Sequence, residues 1–117
     1  MSSVQIYHNP RCSKSRQALA LLEEQGVDPE IILYLDTPPD HATISELLLS
    51  LGLTARELMR TKEKLYQELK LDNPDLTAAD LVQAMADYPK LIERPIVIKD
   101  GQALVARPPE KLLELFA

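Results

Sequence analysis

The sequence has very few side chains that could form cross-links or hold a metal. It contains one cysteine and two histidines among its 117 residues. A single cysteine excludes an internal disulfide, and these three side chains do not have the spacing of a recognisable metal-binding motif. We therefore expect no metal site and no bound cofactor. The cysteine is expected to be a free thiol in a reducing compartment.

Long apolar segments and an excess of basic residues are also lacking. No stretch approaches the ~18 apolar residues of a membrane-spanning helix, and residues 1–5 do not combine a basic region with an apolar segment. The net charge is −5, whereas proteins that bind nucleic acid normally present a basic surface. We therefore expect a cytoplasmic protein that binds neither nucleic acid nor a membrane.

Hydrophobic periodicity predicts that the chain begins with a strand, a helix and a second strand. Residues 4–7 are expected to form the first strand. Residues 15–25 place alanine and leucine on one face and should form a helix that ends at Gly26. The continuous apolar run at residues 31–35 predicts a strand covered on both faces.

The middle of the chain is predicted to be helical. Two Thr-x-x-Glu sequences, beginning at Thr43 and Thr54, match the capping-box pattern, and each is expected to begin a helix. Two more helices are expected at residues 62–70 and 77–86. A helical insertion is therefore predicted at about 40–88.

The end of the chain predicts two more strands and a helix. Asp100-Gly101 is a typical hairpin turn between two short apolar segments, and Pro108-Pro109 can begin a last helix. This order of elements predicts an α/β fold with a four-stranded mixed sheet, and it resembles the layout of thioredoxin-like domains. We expect one such domain over residues 1–117.

The only cysteine, Cys12, lies in the sequence HNPRCSKSR, just before the first predicted helix. The free N–H groups of a helix N-terminus and nearby cations both lower the pKa of a thiol. Arg11, Lys14 and Arg16 supply such cations, and the same N–H groups could bind an oxyanion. Ser15 could donate a hydrogen bond to the thiolate from the same helical face. His8 could do so across the loop, or could hold the loop backbone.

Two thiol signatures can be tested against this sequence. A phosphatase-type loop needs an arginine six residues after its cysteine, where this chain has Ala18. A dithiol oxidoreductase needs a second cysteine at the position of Ser15. Neither signature fits. A small buried cysteine with surface charges around it is the alternative to a reactive Cys12.

Three arginines outside the loop are further candidates. Arg94 precedes Pro95 just before a predicted strand, and the bond between them is a candidate cis peptide bond. Arg107 ends the predicted hairpin, and Arg60 ends the short helix after Thr54. From the sequence alone, each is by default a surface arginine.

These residues resemble the glutaredoxin-coupled arsenate reductases of the thioredoxin-like superfamily. The resemblance covers essentially the whole chain. It includes the His-Asn-Pro-x-Cys-x-x-Ser-Arg run at residues 8–16, Arg60, the Arg-Pro-Ile-Val sequence at residues 94–97, and Arg107. Residues 13–14 are Ser-Lys here, whereas the family often has small uncharged residues there.

The resemblance implies a role for each matching residue. Cys12 would be the nucleophile, and Pro95 would follow a cis bond. His8 and Ser15 would help to keep the thiol ionised. Three arginines would bind the oxyanion substrate: Arg60, Arg94 and Arg107.

The resemblance also implies a reaction and its partners. Cys12 would attack arsenate, glutathione would add to the bound arsenic as a co-substrate, and glutaredoxin would then remove the glutathione as a mixed disulfide. Two other functions remain open. One is a thiol-based regulatory adaptor of the same superfamily, which the absence of Cys-x-x-Cys disfavours. The other is a thiol reductase for a different substrate.

Overall fold

The computed structural model describes residues 4–116, which divide into two compact units. The first unit contains residues 4–37 and 94–116. The second is Pro38–Glu93 and corresponds to the helical insertion expected at about 40–88. That both units belong to a single domain stays a prediction.

The first unit contains the four-stranded mixed sheet that the sequence predicts. Its strands are β1 (Val4–Tyr7), β2 (Glu30–Ile32), β3 (Ile96–Lys99) and β4 (Gln102–Val105). The order is β2-β1-β3-β4, with β1 and β2 parallel and the other pairs antiparallel. Asp100 and Gly101 join β3 to β4 with φ values of 51° and 82°. Both are left-handed, as a tight hairpin turn requires.

Helix α1 (Ser13–Glu24) packs against this sheet through small and apolar side chains. Ala18 and Leu22 are fully buried in a core shared with Val4 and Ile6 of β1. Burial of a side chain the size of leucine is worth about 1.5–3 kcal/mol. The helix expected after Pro108 is present as a 3₁₀ helix at Pro109–Phe116, and it contributes Leu112 to the same core.

The predicted strand at residues 31–35 is wrong in its length and its burial. Strand β2 ends at Ile32, and the N–H of Asp36 donates to the carbonyl of Leu33 in a turn. Because β2 is the first strand of the sheet order, one of its edges has no neighbouring strand within residues 4–116. Ile31, Leu33 and Leu35 are exposed whereas Tyr34 is buried, so this segment is covered on one face and not on both.

The second unit is helical, as predicted, but several helix boundaries differ. Its helices are α2 (His41–Leu51), α3 (Ala55–Leu58), α4 (Lys64–Glu68) and α5 (Ala78–Asp87), followed by a 3₁₀ turn at Pro89–Leu91. Thr54 begins α3 with the predicted capping box. Helix α2 begins earlier than predicted because the side chain of Asp40, rather than Thr43, accepts the capping hydrogen bond.

Helix α4 is shorter at both ends than the predicted helix at residues 62–70, and a left-handed residue follows its C-terminal end. Lys70 has a φ of 56°, and the N–H of Leu71 donates to the carbonyl of Tyr66. This arrangement terminates a helix. Among residues 4–116, no helix is both long and apolar enough to cross a membrane.

Candidate active site

Cys12 is the residue that precedes the first turn of α1. Its backbone is extended, with φ −95° and ψ 122°. The Cys12 N–H donates to the carbonyl of Asn9 at 3.0 Å, and the Cys12 carbonyl accepts from the N–H of Arg16 at 3.0 Å. These bonds hold the loop in a tight turn that leads from β1 into the helix. The thiol is free and half-buried rather than enclosed in the core.

The surroundings of Cys12 favour its ionised form. Partial burial raises the pKa of the thiol, but the effects of three groups together outweigh burial. The backbone N–H of Ser15 and the backbone N–H of Lys14 donate hydrogen bonds to the sulfur, and the guanidinium of Arg94 acts on it by charge and by a hydrogen bond. The pKa of Cys12 is therefore lower than that of an ordinary cysteine.

The side chains of His8 and Ser15 form a buried polar pair beside this loop. Nδ1 of His8 lies 2.6 Å from the hydroxyl oxygen of Ser15, and the same oxygen accepts from the N–H of Asn9 at 3.0 Å. The hydroxyl is therefore bonded to the loop, and the hydrogen bond from Ser15 to the thiol comes from its backbone. A direct role of either side chain in ionising Cys12 stays a prediction.

Two effects favour the neutral form of His8. Burial lowers its pKa, and the positive charge of Arg16 lowers it further. In the tautomer protonated at Nε2, Nδ1 is free to accept the Ser15 hydroxyl proton. In this assignment, the Ser15 hydroxyl donates its proton to Nδ1 of His8. The hydroxyl oxygen also accepts a hydrogen bond from the N–H of Asn9.

Two of the three predicted arginines lie in the same unit as Cys12. Arg94 hydrogen-bonds the thiol, and the guanidinium of Arg107 donates to the backbone carbonyl of Arg94 at 3.3 Å. The bond before Pro95 is cis, as predicted, and the bond between Arg107 and Pro108 is cis as well, which the sequence analysis did not anticipate.

Arg60 lies in the helical unit and has acidic neighbours. Its Nη1 atom is 3.2 Å from Glu63 Oε2, and its Nε atom is 3.8 Å from Glu93 Oε1. Its N–H also donates to the carbonyl of Leu91 at 2.7 Å. Its contribution to oxyanion binding stays a prediction.

Some contacts of the loop were not expected from the sequence. The guanidinium of Arg16 donates to the carbonyl of Pro10 at 2.9 Å, so this cation holds the loop backbone. The side chain of Asn9 accepts from the N–H of Arg11 at 3.0 Å. An Asn-Pro sequence is typical of such side-chain-stabilised turns and was the available signal. Among residues 4–116, no three His, Cys, Asp or Glu side chains form a group suited to a metal ion.

Comparison with known proteins gives consistent matches over nearly the full length. A model described as the ArsC family matches residues 7–115. An arsenate reductase of Neisseria meningitidis serogroup B is 53% identical over 113 residues, which cover 96% of this chain and 97% of that protein. An uncharacterised protein of Escherichia coli K12 is 59% identical, with 96% and 95% covered. The solved structure of an arsenate reductase from Vibrio cholerae is 55% identical and has a TM-score of 0.94, with 96% of each chain covered.

Proposed function

The chain belongs to the ArsC family and has its thioredoxin-like fold, and from that premise we propose that it reduces arsenate to arsenite. The observation that supports this proposal most directly is the set of groups around the sulfur of Cys12. Cys12 combines a lowered pKa, two backbone N–H donors and the guanidinium of Arg94. A thiolate surrounded by donors is suited to attack a tetrahedral oxyanion and to bind its oxygens.

Arginine side chains would hold the substrate and neutralise its charge. A planar guanidinium can donate two parallel hydrogen bonds to an oxyanion, and such contacts stabilise charge that develops in the transition state. In this proposal, Arg94 lies next to both the nucleophile and the substrate. Arg107 binds the substrate beside it, and Arg60 is the third binding residue.

The first chemical step joins Cys12 to arsenic. The Cys12 sulfur bonds to As(V), and one arsenate oxygen leaves as water after protonation. Arsenic keeps its oxidation state in this step. Cys12 is the only cysteine, so the two electrons that reduction needs cannot come from oxidation of two thiols of this chain to an internal disulfide.

External thiols would supply those electrons. Glutathione, acting as a co-substrate, forms a bond to the enzyme-bound arsenic and a second water leaves. The thiolate of glutaredoxin then attacks the glutathione sulfur, which departs as a mixed disulfide and leaves two electrons on arsenic. Hydrolysis of the remaining Cys12–As(III) bond releases arsenite and the free thiol. Overall, one arsenate and two thiols give arsenite, one disulfide and one water.

The proposed cycle needs a compartment rich in reduced glutathione, so we place the protein in the cytoplasm. The cycle needs no bound cofactor, no nucleic acid and no membrane. Its partners are arsenate, glutathione and glutaredoxin.

The test is arsenate-dependent NADPH oxidation in the presence of glutathione, glutaredoxin and glutathione reductase. The wild-type protein should support oxidation that requires both arsenate and glutaredoxin. The Cys12→Ser variant should be inactive, and Ser13→Ala serves as a control because Ser13 is the exposed neighbour of Cys12. Absence of arsenate-dependent oxidation with the wild-type protein would contradict the proposed function.

A further inference from the structure

A cleft of about 300 Å³ lies beside the cysteine loop in the first unit. One wall is formed by residues 8–11 of the loop, and the other by Leu33, Leu35 and Asp36. Pockets for small molecules have volumes of about 300–1,000 Å³. This volume is therefore suited to a compound the size of a tripeptide.

The cleft presents one cation, one anion and exposed apolar surface. Arg11 and Asp36 are both exposed, and Leu33 and Leu35 are 38% and 40% exposed. The backbone N–H groups of Arg11 and Asp36 are used in turns. Within residues 4–116, however, the guanidinium of Arg11 and the carboxylate of Asp36 take part in no ion pair.

This combination of charges discriminates between ligands. A single multivalent anion such as arsenate would be attracted by Arg11 and repelled by Asp36. Glutathione carries an ammonium group and a carboxylate at its γ-glutamyl end, a second carboxylate at its glycyl end, and methylene groups between them. Opposite charges on the cleft and on the ligand are complementary, and the leucines can contact the methylene groups.

We propose that this cleft is the glutathione site, with Arg11 bound to a carboxylate of the tripeptide and Asp36 bound to its ammonium group. This inference rests on the proposed function and assigns residues to its co-substrate. It also gives Arg11 a role apart from the ionisation of Cys12.

The position of the cleft suits the second chemical step. Pro10 and Arg11 line it and directly precede Cys12 in the loop. The bound tripeptide would direct its thiol toward arsenic attached to Cys12. The glutathione sulfur then bonds to As(V), and the thiol proton leaves with an arsenic-bound hydroxide as water. The two electrons are transferred later, when the second thiol attacks the glutathione sulfur.

The first test measures binding without turnover. S-methylglutathione cannot react with arsenic, and its dissociation constant can be determined by NMR titration of the intact protein. Arg11→Gln and Asp36→Asn should each raise this constant by up to about fivefold, as expected for single exposed charge contacts. Lys111→Gln and Glu114→Gln remove exposed charges of the same unit outside the cleft, and they should not change it. Equal binding by all variants would overturn the proposal.

A modified ligand tests the role of Asp36. Acetylation of the α-amino group removes the ammonium charge that Asp36 is proposed to bind. The acetylated ligand should bind more weakly to the wild-type protein, and Asp36→Asn should cause little further loss. Independent losses from the two changes would overturn the assignment of Asp36.

Kinetics separate this inference from the proposed function. Arg11→Gln should raise the KM for glutathione and leave the KM for arsenate and the kcat at saturating glutathione unchanged. A raised KM for arsenate with an unchanged KM for glutathione would overturn the inference and place Arg11 among the oxyanion ligands. Absence of arsenate reduction by the wild-type protein would instead overturn the proposed function, while the binding titration would still decide the role of the cleft.

Discussion

The imidazole Nδ1 of His8 lies 2.6 Å from the hydroxyl of Ser15, and both side chains are buried. This pair joins the end of β1 to the first turn of α1. The hydroxyl also accepts from the N–H of Asn9, so it satisfies two groups of the loop. The hydrogen bond that Ser15 donates to the sulfur of Cys12 comes from its backbone N–H instead. Loop geometry and thiol ionisation therefore depend on different atoms of one residue.

Ser15→Ala should destabilise the protein more than it changes the thiol. The substitution leaves His8 Nδ1 and the N–H of Asn9 without a partner, which costs about 1–3 kcal/mol for a buried polar group. The backbone N–H remains, so the pKa of Cys12 should stay low. Urea unfolding and the pH dependence of thiol alkylation measure the two quantities, with Ser13→Ala as the control. A raised thiol pKa without loss of stability would show that the hydroxyl acts on the sulfur directly.

Arg94→Ala should impair both ionisation and substrate binding. The guanidinium lowers the pKa of Cys12, and contacts with charged groups are worth about 1.5–3 kcal/mol each. We expect kcat/KM for arsenate to fall about 10- to 150-fold and the thiol pKa to rise. Arg94→Lys keeps the charge but loses the planar pair of donors, so its loss should be smaller. Wild-type kinetics for Arg94→Ala would remove this residue from the site.

Arg107→Ala should affect arsenate binding more than thiol ionisation. Arg107 is exposed, and its guanidinium donates a hydrogen bond to the Arg94 carbonyl. We expect the KM for arsenate to rise by about tenfold, the equivalent of ~1.4 kcal/mol, while the alkylation profile of Cys12 moves less than in Arg94→Ala. Equal shifts of the alkylation profile in both variants would contradict this division of roles.

His8 should make stability depend on pH on the acid side of neutrality. Its pKa is lowered in the folded protein by burial and by Arg16, so the unfolded chain binds the proton more tightly. The stability from neutral His8 is therefore complete above the unfolded pKa of about 6.5 and is lost as the pH falls toward the lower folded pKa. The free energy of unfolding should decrease over this range, and His8→Gln should reduce the decrease. His41→Gln is the control, and an identical decrease in His8→Gln would contradict the assignment.

The sequence was sufficient where local chemistry decides the structure. The hairpin at Asp100-Gly101 and the capping box at Thr54 need only neighbouring residues, and both are present. The cap of α2 is Asp40, whereas Thr43 was predicted. Both side chains are suitable as caps, so the local sequence does not show at which of the two residues the helix begins. The apolar run at residues 31–35 was misleading because only one of its faces is covered, and that coverage depends on how distant parts of the chain pack against it.

For the site as well, neighbouring residues predicted the local structure but not the contacts with distant segments. Cys12 at the start of a helix could be predicted, since the loop and the helix are adjacent in sequence. The cation that acts on its sulfur is Arg94, from a distant segment, while Arg16 of the loop bonds the carbonyl of Pro10. Charges that are close in sequence were thus a poor guide to the charge that reaches the thiol, because side chains of a helical turn point in different directions.

The most direct test of the account is the ionisation of Cys12 itself. The protein has one cysteine, so the rate of thiol alkylation measured as a function of pH reports on this residue alone. We expect a midpoint below that of the same chain unfolded in denaturant, with the difference reduced in Arg94→Ala. A folded-state midpoint equal to or above the unfolded one would contradict the claim that this loop holds its sulfur as an anion.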